Sequence, residues 1–153
     1  MPIKSFQGAR AQVKKSVRKL FVRDIMCQKL VVFRPEQTIH EVMEHFIQHR
    51  ISGGPVVDQS GQLIGIISEA DCMRQISDSR YFNMPILDRA VANFMTKEVE
   101  TIESSKSIFE AASLFSKSKR RRFPVMENRR LVGQISRKDV VIAALKMKSQ
   151  SWR

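Results

Sequence analysis

The chain has 153 residues, 42% of them hydrophobic, enough for one packed domain or two small units that depend on each other. No apolar run approaches the ~18 residues of a membrane span, and the N-terminus lacks the apolar stretch of a signal peptide, so no membrane span and a cytoplasmic location are expected. The net charge of +12 is concentrated in Lys4 to Arg23 and in Lys117 to Arg122, with Arg129 and Arg130 beyond, a field that attracts nucleotides, nucleic acid or anionic surfaces.

In chain order, residues 1–21 form a basic arm. Ala9, Val13, Val17, Leu20 and Phe21 give its 10–20 stretch the spacing of an amphipathic helix that docks on the body or touches a nucleic acid or membrane. A first unit, 22–76, opens with a short β run at 30–33. A helix follows, with Thr38 and Glu41 spaced as a capping box and Ile39, Val42, Met43, Phe46 and Ile47 at helical spacing. Strands at 55–57 and 63–67 come next, joined by a turn through Ser60 and Gly61, and a closing helix starts at Ser68. Residues 77–90 read as a linker, because Ser77, Asp78, Ser79 and Pro85 break the helical pattern. A second unit, 91–147, repeats the order: β at 99–102, a capping box at Ser107 and Glu110, strands at 124–126 and 131–135, and a helix from Ser136. Residues 148–153 are a tail.

The two units are copies of one pattern. A shift of about 69 positions lays Val22 to Met26 on Val91 to Met95, Thr38 on Ser107, Phe46 on Phe115, and Pro55 on Pro124. One extra residue in the first turn then brings Gly65, Ser68 and Asp71 onto Gly133, Ser136 and Asp139. Each copy reads β-α-β-β-α. Neither is large enough to bury a good core alone, so the two are expected to pack together. Cys27 and Cys72 lack a paired-ligand spacing and are expected as core or near-core residues, not a disulfide.

The residues carrying the repeat resemble the cystathionine-β-synthase (CBS) domain family in its tandem form, the Bateman module. Val22 to Met26 is similar to the family's opening, His49 to Asp58 to its central segment, and Gly65 to Asp71 to its closing segment. The resemblance covers about residues 22 to 145. It implies an α/β (α+β) fold of two β-α-β-β-α motifs packed with pseudo-twofold symmetry, and a homodimer. It also implies a non-catalytic regulatory role. The ligand would be an adenine nucleotide (AMP, ADP or ATP) or S-adenosylmethionine, with no cofactor required. The effector would be an unidentified partner protein or the chain's own oligomer.

The Ser-x-x-Asp at each closing helix has a physical rationale for such a ligand. The helix start offers free N–H groups and a positive dipole end for phosphate, and an aspartate one turn in can accept ribose hydroxyls. The plain alternative is an N-cap serine with Asp at N3. As the resemblance implies, one cleft combines Ser68 and Asp71 with Val99, Glu100, Arg121 and Arg122. The other combines Ser136 and Asp139 with Leu30, Val31, Ile51 and Ser52. The guanidinium groups suit phosphates, so the Asp71 cleft is expected to favour a multiply phosphorylated ligand. Glu100 would oppose it. The Asp139 cleft is expected to take a less charged ligand or to stay empty.

Other readings rest on fewer residues. His45 and His49 are spaced for a metal on a helix, but no acidic or Cys partner completes a site, so no metal is expected. No P-loop, HExxH or nucleophile elbow is present, which leaves an enzyme nothing to act with. Two alternatives stay open. In one, the arm and Lys117 to Arg122 bind nucleic acid through its phosphates, although aromatics are only 7% and none interleaves the run. In the other, both clefts are vestigial and the module only docks or dimerises.

Overall fold

The computed structural model describes residues 19–82 and 89–151. Residues 10–18 of the expected amphipathic stretch and the rest of the basic arm before Lys19 lie outside them, as do residues 83–88 of the expected linker. The elements are α1 (Val22–Ile25), α2 (Ile39–His49), β1 (Gly53–Val57), β2 (Leu63–Ser68), α3 (Glu69–Phe82), a 3-10 turn (Val91–Asn93), β3 (Ile102–Glu103), α4 (Ile108–Lys117), β4 (Arg122–Glu127), β5 (Arg130–Ser136) and α5 (Arg137–Ser151). This is the expected mixed α/β order, twice. Among the described residues no helix is long and apolar enough to cross a membrane.

Local chemistry accounts for the helix starts. Ser107 Oγ accepts the Glu110 N–H at 3.2 Å and Glu110 Oε2 accepts the Ser107 N–H at 2.8 Å, a complete capping box. The first copy makes one half: Thr38 Oγ1 accepts the Glu41 N–H at 3.2 Å. The apolar stripes then turn inward, Ile39, Val42 and Phe46 from α2 and Ile108, Ala111 and Phe115 from α4.

Three expectations are corrected. The β run at 30–33 shrinks to one parallel bridge, Phe33 to Val56. Phe33 donates to Pro55 O and its carbonyl accepts from Val57, both at 2.9 Å, and Pro35 then turns the chain away. In the second copy only Ile102 and Glu103 pair with β4. The closing helix of the first copy continues through Ser77, Asp78 and Ser79 to Phe82, and Ser79 Oγ bonds back to Ile76 O at 2.8 Å. Cys72 is buried as expected, but Cys27 is exposed, its Sγ 3.6 Å from Lys29 O.

Two cores form, and each is completed by the other copy's opening segment. Phe33, Ile39, Val42, Phe46, Val56 and Ile67 of the first copy pack with Val91 and Phe94. Ile102, Ala111, Phe115, Phe123, Val125 and Ile135 of the second pack with Val22. Val22 and Val91 are fully buried, and each such side chain contributes roughly 1.5–3 kcal/mol. The backbone follows the same exchange. Val22 N–H donates to Lys106 O and Val91 N–H to Gln37 O, both at 2.8 Å. Cys27 pairs with Gln134 on β5, and Thr96 pairs with Ile66 on β2.

Both crossings pass over a glycine. A Cβ on Gly133 would lie 2.7 Å from Met26 Sδ and 2.9 Å from Cys27 O. On Gly65 it would lie 2.6 Å from Met95 Sδ and 3.0 Å from Thr96 O. The backbone oxygen cannot move without breaking the Cys27–Gln134 pair. Gly133→Ala is therefore expected to lower stability by about 1–3 kcal/mol, read as a lower urea midpoint. An unchanged midpoint would mean that the opening segment does not pack against β5.

Candidate functional site

A cleft of about 480 Å³ opens where the two copies meet. Ser52, Gly53, Ile66 and the start of α3 from Ser68 to Asp71 form one wall. Thr96 and the run Lys119 to Arg122 form the other. The antiparallel register of β1 and β2 sets Gly53 opposite Ser68, which places Ser52 beside the helix start. Its carbonyl accepts the Glu69 N–H at 2.9 Å. Thr96 arrives on the segment that crosses to β2.

Asp71 is 3% exposed. Its Oδ2 accepts the Ser68 N–H at 2.9 Å and the Ser68 hydroxyl at 3.0 Å, while Ser68 Oγ accepts the Asp71 N–H at 3.3 Å. Its Oδ1 accepts from Arg74 and, at 3.5 Å, from the Thr96 hydroxyl. The Ser-x-x-Asp is thus a capping box that also faces a cleft, so the plain alternative and the ligand reading describe the same geometry. Arg122, half-buried, donates to Gly53 O at 3.3 Å and to Ser52 Oγ. Burial pulls its guanidinium below the ordinary value, the Arg121 charge adds to that, and Glu69 opposes it. An arginine remains cationic under such a shift, so the cleft holds concentrated positive charge with few carboxylates.

The structure brings together Ser68, Asp71, Arg121 and Arg122. Val99 and Glu100 do not line this cleft. Glu100 lies at its edge, 3.7 Å from Arg120 Nε, and so pairs with one of the basic residues that do. Ser52, expected opposite Asp139, belongs here instead because β1 holds it to its own copy's helix. Ser136 and Asp139 repeat the capping box: Asp139 Oδ2 accepts the Ser136 N–H at 2.8 Å and Ser136 Oγ accepts the Asp139 N–H at 3.1 Å. The cavity beside Asp139, about 360 Å³, is lined by Leu20, Asp24, Ile25 and residues of α5. Leu30, Val31 and Ile51 do not line it. Val31 and Ile51 pack against the first core. Sequence reasoning missed Thr96, Lys119 and Arg120. Thr96 carries no signal of its own, because only the crossing brings it to Asp71.

His45 and His49 stack with ring centroids 5.6 Å apart, and His45 and Phe33 meet edge to face. Among the described residues no three His, Cys, Asp or Glu side chains form a group able to hold a metal.

A CBS domain family model matches residues 22–78 and 91–146. The chain belongs to the CBS domain family. It is 31% identical to the CBS domain-containing protein CBSX1, chloroplastic, of Arabidopsis thaliana, over 86% of this chain and 67% of that one. The crystal structure of CBSX2 from Arabidopsis thaliana in complex with AMP is similar, with a TM-score of 0.75, 27% identity, and coverage of 84% of this chain and 98% of that one. So is the CBS domain pair of protein MJ0100 in complex with 5′-methylthioadenosine and S-adenosyl-L-methionine, with a TM-score of 0.68, 26% identity, and coverage of 86% and 99%. The share of a curated relative's own length that the chain spans is 92% in one case and 24% in another, so a CBS pair also occurs inside much longer proteins.

The site leaves a chemical signature at Cys72, next to Asp71. Burial first, then the Asp71 and Glu69 charges, push its thiol up to about 11. The thiolate is the reactive form. At pH 8.5, iodoacetamide is expected to modify exposed Cys27 and to spare Cys72, read by peptide mass spectrometry. Equal labelling would show that α3 does not seat against the core as described.

Proposed function

We propose that this CBS pair is a non-catalytic regulatory module. It binds an adenine nucleotide in the Asp71 cleft, with the phosphates against Arg121 and Arg122 and the sugar toward Asp71. The carrying observation is the position of Arg122: half-buried in the cleft, it crosses from the second copy to Ser52 and Gly53 of the first. Guanidinium groups pair with phosphate through charge-assisted bonds, and Lys119 and Arg120 extend the same field. The AMP complex of CBSX2 and the adenosyl ligands of MJ0100 support an adenosine-containing ligand. The charge favours ADP or ATP over AMP. The cavity beside Asp139 is lined by Asp24 and, for a base, by Lys146, with no arginine among its lining residues. That side takes a less charged ligand or none.

The signal passes to a partner protein or to the chain's own assembly. Met73 on α3 and Leu145 on α5 are 62% and 63% exposed, with Ile76, Val141 and Ile142 beside them. Exposed apolar residues on both closing helices, with Met73 and Val141 at matched places, support a homodimer formed by a second copy.

ADP titrated by calorimetry is expected to bind wild type, and Arg122→Ala to weaken it roughly tenfold or more. Asp139→Ala should change it little. Equal losses in both variants, or none in either, would overturn the assignment. A nucleic acid that binds undiminished at saturating ATP would favour the basic-surface alternative. For the assembly, Leu145→Asp with Met73→Asp is expected to halve the mass measured by light scattering. A wild type that is already monomeric would remove the dimer.

A further inference from the structure

Asp71 and Asp139 hold equivalent places, yet their carboxylates are not equally free. A carboxylate offers about four acceptor positions. Asp71 uses them on the Ser68 N–H, the Ser68 hydroxyl, the Arg74 guanidinium and the Thr96 hydroxyl. Asp139 accepts from the Ser136 N–H. Three residues on, where Arg74 stands in the first copy, the second copy has Ile142, which offers no side-chain donor. Arg74 is rooted one turn into α3 with its side chain 68% exposed, so it closes over the buried aspartate from the solvent side.

We propose that Arg74 is an internal competitor for the ligand. It occupies the carboxylate that would otherwise accept sugar hydroxyls, and so makes the Asp71 cleft depend on phosphate for its affinity. The proposal rests on the reading of this cleft as a nucleotide site. A sugar diol that engages Asp71 must first displace a charge-assisted bond, which is roughly twice as strong as a neutral one. Two hydroxyl contacts therefore gain little over the pair they replace. A nucleoside alone binds weakly. A nucleoside diphosphate makes the same exchange and adds bonds to Arg121 and Arg122, which engage whether or not Arg74 has moved. The displaced guanidinium returns to water at small cost, because most of it is there already. Arg74 is thus a specificity-determining residue that acts through Asp71.

Three probes separate the contributions: adenosine, ADP and inorganic pyrophosphate, each titrated into wild type, Arg74→Met and Arg74→Gln. Adenosine and ADP are expected to tighten by a similar factor, about two- to fivefold in Arg74→Met, the worth of a partly exposed ion pair, and by less in Arg74→Gln, whose amide can still donate to Asp71. Pyrophosphate, which needs Arg121 and Arg122 but not Asp71, should keep its wild-type affinity. Circular dichroism confirms that each variant is folded. The second substitution covers a failure of the first, since position 74 faces solvent and neither residue is buried by the change. Weaker ADP and pyrophosphate binding in the variants would make Arg74 a phosphate ligand and overturn the proposal. So would unchanged affinities throughout. If ADP binds wild type no better than it binds Arg122→Ala, the nucleotide reading of the cleft falls, and this proposal falls with it.

Discussion

A methionine from one copy crosses a glycine on the last strand of the other, twice. Met26 lies on Gly133 and Met95 lies on Gly65, each so close that a single Cβ would collide with sulfur and with the backbone behind it. That approach lets Cys27 pair with Gln134 and Thr96 with Ile66. It also carries Val22 into the second core and Val91 into the first. A chain with two small cores would ordinarily be marginal in each. Here neither core is complete without the other copy, so the two copies must fold as one body.

The same crossing builds the site. Ile66 and Thr96, the two residues of one crossing pair, both line the Asp71 cleft. The start of β4 brings Arg122 to the wall that Thr96 also forms. A ligand there would touch the first copy through Ser68 and Asp71 and the second through Thr96 and Arg122. Binding energy spent in such a cleft acts on the relation between copies, which is the property a regulatory module needs. The exposed apolar residues of α3 and α5 lie on the helices that begin at the two Ser-x-x-Asp segments, so occupancy and surface are one element apart.

What could be read from sequence divides along physical lines. The helices were legible because their starts are local: Ser107 with Glu110 and Thr38 with Glu41 cap themselves within four residues, and the apolar stripe follows. The strands from Gly53 and Arg122 were legible from their Pro-Val cores. Ser68, Asp71, Arg121 and Arg122 were brought together through the family pattern, and the structure gathers them. Thr96 was not legible, because its role depends on a backbone pairing 30 residues from Ile66. Ser52 was assigned to the wrong wall for a related reason. The family pattern puts it across from Asp139, in the place Arg121 takes in the other cleft, but the Gly53–Ser68 register holds it beside its own copy's helix start. The helix through Ser77, Asp78 and Ser79 ran past its expected end because low propensity is a weak prior once a helix has started.

The asymmetry between the clefts follows from side-chain length on a symmetric backbone. Gly53 pairs with Ser68 and Arg122 pairs with Ser136, the same register in both copies. Glu69 donates to Ser52 O and Arg137 donates to Arg121 O, again the same bond. The backbone therefore treats the two helix starts alike. At the position where the first copy has glycine, the second has an arginine long enough to leave its own Ser136 and reach the other copy's Ser52. One substitution moves positive charge from one cleft to the other. A second, Arg74 against Ile142, then occupies the aspartate on the side that gained the charge. Both differences lie on the Asp71 side and, in the proposed mode, would act in opposite directions on a nucleotide, one attracting its phosphate and the other contesting its sugar. A repeated backbone with two unequal side chains is enough to give one fold two sites of different character.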